Sequence, residues 1–328
     1  MPLWRSSDRE CGLAEITYQL RERTLTFTGP DAEARLLAHQ KVGEFLATNP
    51  PLEVDAEPTH QRIIWSYWEQ GWKRAPHIVK ACATRLQAEA TEFEVRQLTA
   101  RTVPKYTQID PVVAERTSKW KAHYSDILRV HLLAEHGGIW VDATVLTTQP
   151  LDSLYRQVLP TPFFAYTVTK FLSSWFLIAQ RGSIVPVALR DFFDWFWQNH
   201  EDLPHYFWFH LCFEALYAHL PEFTAAWDSA IIHSSPNAHA LQKAQLQPLN
   251  EHNYGRILRT GHVQKMTYRF KGAPDAPEGS YLARVFEDFP PVFERLPPAS
   301  ATAPPEPPAP RGIRRLPAAV KRRLGSGR

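Results

Sequence analysis

Ser125-Asp-Ile-Leu-Arg129 and, seven residues on, Gly137-Gly-Ile-Trp-Val-Asp-Ala-Thr-Val145 decide how this chain reads. Residues 119–136 carry the signals of a helix that stops at Gly137-Gly138, where one glycine supplies a left-handed C-cap. Ile139–Val145 follow at once and, being rich in β formers, predict a strand. Asp142 lies in that strand with apolar neighbours on both sides. A carboxylate there is costly unless it is paired, hydrogen-bonded or bound to metal. On the preceding helix Asp126 and Arg129 sit about 60° apart around the axis, with Leu133 projecting between them. Such a charged pair on an apolar face is either an internal ion pair or a ligand site, and spacing alone leaves both readings open.

Working outward, Arg62–Trp68 predicts a strand, about 76–90 a helix with proline in its first turn, and Phe93–Leu98 a second strand. Strands at Phe163–Thr167 and Trp175–Ala179 precede aromatic-rich helices at about 184–199 and 205–219. Alternating strands and helices predict an α/β fold, a mostly parallel sheet with flanking helices. In such sheets ligands bind beyond the carboxyl ends of the strands. The two conspicuous ends are Trp68-Glu-Gln-Gly71-Trp72 and the one bearing Asp142. Ahead of this domain, placed at 59–290, residues 1–58 read as a helical extension. It holds one strand at Thr24–Thr28 and a helix from Asp31, its N-cap, to about Thr48. The pattern from about 221 to 290 is irregular.

Residues 291–310 form a linker, with seven prolines in the fourteen positions 297–310, which forbids helix and favours an extended chain. In the tail, 311–328, Ile313, Leu316, Val320 and Leu324 share a helical face amid basic residues, a pattern suited to an anionic membrane surface. A solvated basic tail is the rival reading, since Pro317 interrupts the helix.

The 328 residues are 44% hydrophobic and 22% charged, as in globular proteins. The net charge is +3, but the tail carries seven Arg or Lys and no acid, which leaves residues 1–310 at −4. A mildly acidic domain argues against a nucleic-acid binder. No run of roughly eighteen apolar residues and no apolar leader are found. Cys11, Cys82 and Cys212, odd in number and far apart, favour a reducing compartment over a disulfide framework or cysteine zinc site. The expected location is cytoplasmic, peripheral at the inner membrane face if the tail binds lipid.

The Ser125–Arg129 and Gly137–Val145 blocks resemble the core of the DXD-containing sugar transferases: yeast-type mannosyltransferases, glucosylating clostridial toxins and capsular polysaccharide synthesis proteins. The last group is most similar. It shares Ile64-Trp-Ser-Tyr-Trp-Glu-Gln-Gly71, Ala75-Pro-His-Ile-Val79, Ser174-Trp-Phe176, Tyr206-Phe-Trp-Phe-His210 and Lys265-Met-Thr-Tyr-Arg269. The resemblance covers about 61–270. It implies a GT-A-type, Rossmann-like fold and a bacterial, nucleotide-sugar-dependent hexosyltransferase of family 32-like type. A nucleotide-diphosphate sugar, UDP-linked by preference, would donate a hexose or N-acetylhexosamine to a growing surface glycan or lipid-linked acceptor, with retention of configuration.

By the same likeness Trp68 stacks on the nucleotide base, Asp126 and Arg129 bind donor-sugar hydroxyls, and Asp142 contacts ribose or sugar and approaches a divalent cation, Mn²⁺ or Mg²⁺. Thr144 replaces the second acid of the motif, and its hydroxyl is a poorer ligand for a hard cation. Either a metal is still held by the diphosphate, Asp142 and water, or its role passes to cations such as Lys265, with Arg269 beside it on a segment expected to close over the diphosphate. His210 and the apolar pair Trp175 and Phe176 are candidates to face the acceptor, with core packing as their rival. Two other classes fit the residues: a degenerate scaffold that binds nucleotide sugar or glycan without catalysis, and a transferase of sugar-phosphate units.

Overall fold

A computed structural model describes residues 15–290 apart from 56, 169–170, 232 and 271–275. The proline-rich linker, the basic tail and Cys11 lie outside the described residues.

Strands β1 (Ile16–Leu20) and β2 (Arg23–Phe27) form an antiparallel hairpin where the sequence suggested one strand. Helix α1 (Ala32–Thr48) begins after Asp31, whose side chain makes no capping bond, and ends at Asn49 before two prolines. Its residues Ala38, Val42 and Phe45 are buried in the main core. The apolar face of α1 thus packs into the same core as the central sheet.

The chain continues through β3 (Ile63–Tyr67), α2 (His77–Glu89), β4 (Glu94–Leu98), α3 (Pro111–Ser118), α4 (Lys121–His136) and β5 (Gly138–Val141). Then come β6 (Val145–Thr147), α5 (Leu151–Val158), β7 (Phe163–Val168), β8 (Phe171–Ala179), α6 (Ile184–Asn199) and α7 (Trp208–His219). The region that reads as irregular holds α8 (Pro221–Asp228), β9 (His233–Ser234), α9 (Ser235–Ala238), α10 (Ala240–Ala244), α11 (Glu251–Arg259), β10 (Val263–Lys265) and α12 (Tyr281–Asp288).

Six strands form the central sheet in the order β4-β3-β5-β8-β7-β9, with β8 alone running against the rest. Successive strand residues point to opposite faces, and both faces are covered. Trp65, Trp140, Phe163 and Leu177 enter a core with α1, α4, α6 and α7. Their neighbours Ile64, Ile139, Phe164 and Ile178 enter a second core with α2 and α5. A third apolar cluster joins α2, α10, α11 and α12 around Leu146 and Met266.

The junction of α4 and β5 fixes the helix against the sheet. Gly137 has φ 68° and ψ −161°, and Gly138 has φ 94°. The first is an extended, positive-φ conformation reserved for glycine, not the left-handed cap expected. A Cβ on Gly137 would lie 2.5 Å from the Arg181 backbone nitrogen, and one on Gly138 would collide with the Ile63 carbonyl oxygen. Trp65, fully buried, donates its indole N–H to the Gly137 carbonyl at 3.0 Å, a bond worth about 1 kcal/mol net.

The expected strand Ile139–Val145 breaks in two. β5 ends at Val141, the Val145 N–H donates to the Asp142 carbonyl at 2.9 Å in a tight turn, and β6 leaves the central sheet to pair with β10. Asp142 is thus not inside a strand. It sits at the carboxyl end of β5, beside β3, whose own carboxyl end leads into Trp68.

Candidate active site

Asp142 is the centre of a charged network built from three elements. Its Oδ1 accepts the Trp140 indole N–H at 2.9 Å and an Arg129 N–H at 3.3 Å. Its Oδ2 accepts from the Lys265 ammonium at 2.8 Å, which also donates to the Thr144 hydroxyl at 2.7 Å. Trp140 reaches the carboxylate because residues two apart on an extended chain share a face. Arg129 rises from α4 and bonds Asp126 Oδ1 at 2.5 Å and Ser125 Oγ at 3.3 Å. Its guanidinium lies 5.2 Å from the Trp140 ring centre and 5.8 Å from that of Phe209.

The third element is the ribbon of β6 and β10. Its register sets Lys265 opposite Val145, and the Met266 N–H donates to the Thr144 carbonyl at 2.8 Å. Thr144 is thereby held on both its hydroxyl and its carbonyl. The structure brings Asp126, Arg129, Asp142, Thr144 and Lys265 into one continuous network.

The electrostatics differ between the two carboxylates. Burial pushes Asp142 up, but Lys265 and then Arg129 outweigh it and hold the group below its ordinary value. Asp126 moves the other way, to about 6: burial and the nearby Asp142 charge together exceed the pull of Arg129. One acid is fixed as a carboxylate and the other titrates near neutrality, which separates their chemistry. His123 approaches Asp126 Oδ2 at 3.5 Å. His123 and His210 are both lowered to about 4, first by burial and then by Arg129. They are neutral imidazoles at pH 7, and His210 Nδ1 is buried with no partner among the described residues.

Trp68 is half-buried, edge-on to Tyr268 at 5.4 Å between centroids. It borders the same apolar cluster as Ala143, the residue after Asp142. Arg269 is exposed and lies over the Tyr268 ring at 5.5 Å instead of reaching the network.

The expected platform of Trp175 and Phe176 is not formed. Phe176 is fully buried in the core under the sheet, and Trp175 is only 7% exposed, stacked on Tyr166. β8 is an interior strand with both faces covered, so its rings pack inward. Trp175 meets the site through its backbone alone, its carbonyl accepting the Asp142 N–H at 2.9 Å. The exposed aromatics nearby are Tyr206 and Phe207, 67% and 45% exposed. Tyr206 lies edge-on to His123 at 6.3 Å, and Phe207 edge-on to His210 at 5.8 Å.

The roles of Trp140, His123 and Tyr268 escape a reading of sequence alone. For Trp140 the signal was available, because it stands two residues before Asp142.

The donor set does not fit a protein-held divalent cation. Both Asp142 oxygens and the Thr144 hydroxyl already accept from cationic or indole donors. Among the described residues no group of three or more His, Cys, Asp or Glu is placed to hold a metal.

A model of the capsular polysaccharide synthesis protein family matches residues 37–285, and the chain belongs to that family. The glycosyltransferase AfumC of Aspergillus fumigatus (strain CBS 144.89 / FGSC A1163 / CEA10) is 25% identical over 167 residues. The match covers 42% of this chain and 41% of that protein, so it spans about two-fifths of the relative's length. Among solved structures, the PaToxG glycosyltransferase is 14% identical with a TM-score of 0.38, covering 71% of this chain and 97% of its own. No described helix is long and apolar enough to cross a membrane.

Proposed function

We propose that this protein is a glycosyltransferase that moves a hexose or N-acetylhexosamine from a nucleotide-diphosphate sugar, UDP-linked by preference, to a growing capsular or other surface polysaccharide. The observation that carries the reading is the Asp126–Arg129–Asp142–Lys265 network at the carboxyl ends of β3 and β5, where open α/β sheets bind ligands. Family membership and the similarity to AfumC, named a glycosyltransferase, support it.

In this reading Trp68 and Tyr268 form the edge against which the base packs. Asp126 and Arg129 take sugar hydroxyls, for which a carboxylate and a fork of N–H donors are suited. The bond from the anomeric carbon to the diphosphate oxygen breaks, and its electron pair leaves with the nucleoside diphosphate. The acceptor hydroxyl forms the new bond and passes its proton to the departing phosphate, so configuration is retained. Both network carboxylates are engaged by cations, which suits this route better than a carboxylate nucleophile. Tyr206 and Phe207 offer the acceptor sugar the ring faces that Trp175 and Phe176 do not.

The test is release of nucleoside diphosphate from a panel of UDP-, GDP- and CDP-sugars, with nuclear magnetic resonance of the product's anomeric proton. Turnover of one donor, lost at least a hundredfold in a folded Asp142→Ala variant, supports the reading. Donor binding with no turnover in the presence of capsular acceptor glycans would transfer the protein to the scaffold class.

A further inference from the structure

We propose that the Lys265 ammonium is a built-in replacement for the divalent cation, so that the site binds and stabilises a nucleoside diphosphate without metal. The inference rests on the transferase reading and deepens it.

The ammonium occupies the place a metal would take. It stands 2.8 Å from Asp142 Oδ2 and 2.7 Å from Thr144 Oγ1, the two side chains of the motif that would be first to ligate a cation. A metal about 2.0–2.2 Å from both oxygens would overlap that nitrogen. Displacing the lysine is opposed by the β6–β10 ribbon, which fixes the Lys265 backbone opposite Val145. Charge points the same way. Asp142 already faces two cations, Lys265 and Arg129, at 2.8 and 3.3 Å, which leaves little negative potential to attract a doubly charged ion.

The ammonium also retains capacity for a ligand. It carries three N–H donors, and two are used. The third has no protein acceptor among the described residues, and the side chain is 16% exposed. A fixed cation with a spare donor is what a developing phosphate charge requires. Thr144 follows from the same geometry. A second carboxylate there would tie the ammonium more tightly and spend its charge, whereas a hydroxyl orients it and leaves the charge available.

The experiment has two arms on the full chain. The first titrates Mn²⁺ alone and follows its electron paramagnetic resonance signal. Wild type is expected to bind no Mn²⁺ below about 1 mM, while a Lys265→Met, Thr144→Asp double variant, with Asp142 Oδ2 and an added carboxylate both free of the ammonium, binds at least tenfold more tightly. The second arm measures affinity for UDP, GDP and CDP by calorimetry in EDTA and in Mn²⁺. The wild-type affinity for the preferred nucleotide should differ less than threefold between the two, and Lys265→Met should weaken it at least tenfold in EDTA.

Wild-type binding of Mn²⁺ alone at micromolar concentration, or a tenfold or greater dependence of nucleotide affinity on Mn²⁺, overturns the proposal. If no nucleotide binds under either condition, the transferase reading falls and the ammonium has no phosphate to serve, even where the first arm shows no Mn²⁺ uptake. The Lys265→Gln single variant repeats both arms should the double variant fail to fold.

Discussion

Replacing Arg129 by methionine tests whether the charged network is a structural unit. The side chain is 5% exposed, bridges Asp126 and Asp142, and covers the Trp140 and Phe209 rings. At an effective dielectric of about 20 each close charge pair is worth roughly 4 kcal/mol before desolvation is counted. The guanidinium's own desolvation offsets much of that. Asp142 keeps Lys265 as a partner, so what remains on deletion is the penalty of leaving Asp126 buried without a counter-charge, about 3–5 kcal/mol. Methionine preserves much of the apolar contact of the arginine stem, so the loss is largely electrostatic.

Urea unfolding followed by tryptophan fluorescence would measure it. Adding Asp126→Asn removes the stranded charge, and the double variant should recover roughly 2 kcal/mol of the loss, as residues in one network couple. The sign with pH follows from Asp126, raised to about 6. A raised carboxyl makes the folded state bind more protons than the unfolded state, so stability falls as pH rises from about 4 through 6. Without Arg129 the window extends upward, and the Arg129→Met deficit should shrink between pH 8 and pH 6. A deficit under 1 kcal/mol, or a double variant no more stable than the single, would refute the reasoning.

Two other outcomes are expected. His39 and His219 touch at 3.3 Å between ring nitrogens, and burial is the main cause that lowers each to about 4. The folded state therefore resists protonating them, so their contribution is full above about pH 6.5 and is lost as pH falls through 4. The melting temperature should drop from pH 7 to pH 5, and His219→Gln should flatten that drop; an unchanged slope removes the pair from the account. Tyr206→Ala takes away an exposed ring of the proposed acceptor face, and loss of an aromatic contact worth about 1 kcal/mol should raise the acceptor KM roughly fivefold. An unaltered acceptor KM places the acceptor elsewhere.

The sheet and its main helices were legible because their signals are local. α6 spans the residues its sequence suggests, 184–199, and α4 ends at the glycine pair whose steric need is now visible. The charged trio of α4 and β5 was legible for the same reason: a helix joined to a strand with almost no connector leaves little freedom of placement. The break at Asp142 was not. Asp142-Ala-Thr144 has no glycine or proline, and the chain turns there because Val145–Thr147 pairs with Val263–Lys265 far along the sequence. Trp175 and Phe176 misled because aromatic character does not distinguish a platform from a core; their place on an interior strand does. The short helices α11 and α12 carry capping side chains, Asn250 and Ser280, each accepting a backbone N–H. Nine and eight residues gave too little periodicity to read.

The β6–β10 ribbon also sets an order in time. Lys265 lies 123 residues beyond Asp142, whereas the hydrogen-bonded neighbours β3, β5 and β8 have all emerged by Ala179. During synthesis, where N-terminal parts fold first, the central strands can assemble while Asp142 has only Arg129 as counter-charge. The ammonium arrives when nearly all of the described chain has been made. The second counter-charge of Asp142 therefore depends on the late pairing of β10 with β6, whereas the first, Arg129, is made before Asp142 itself.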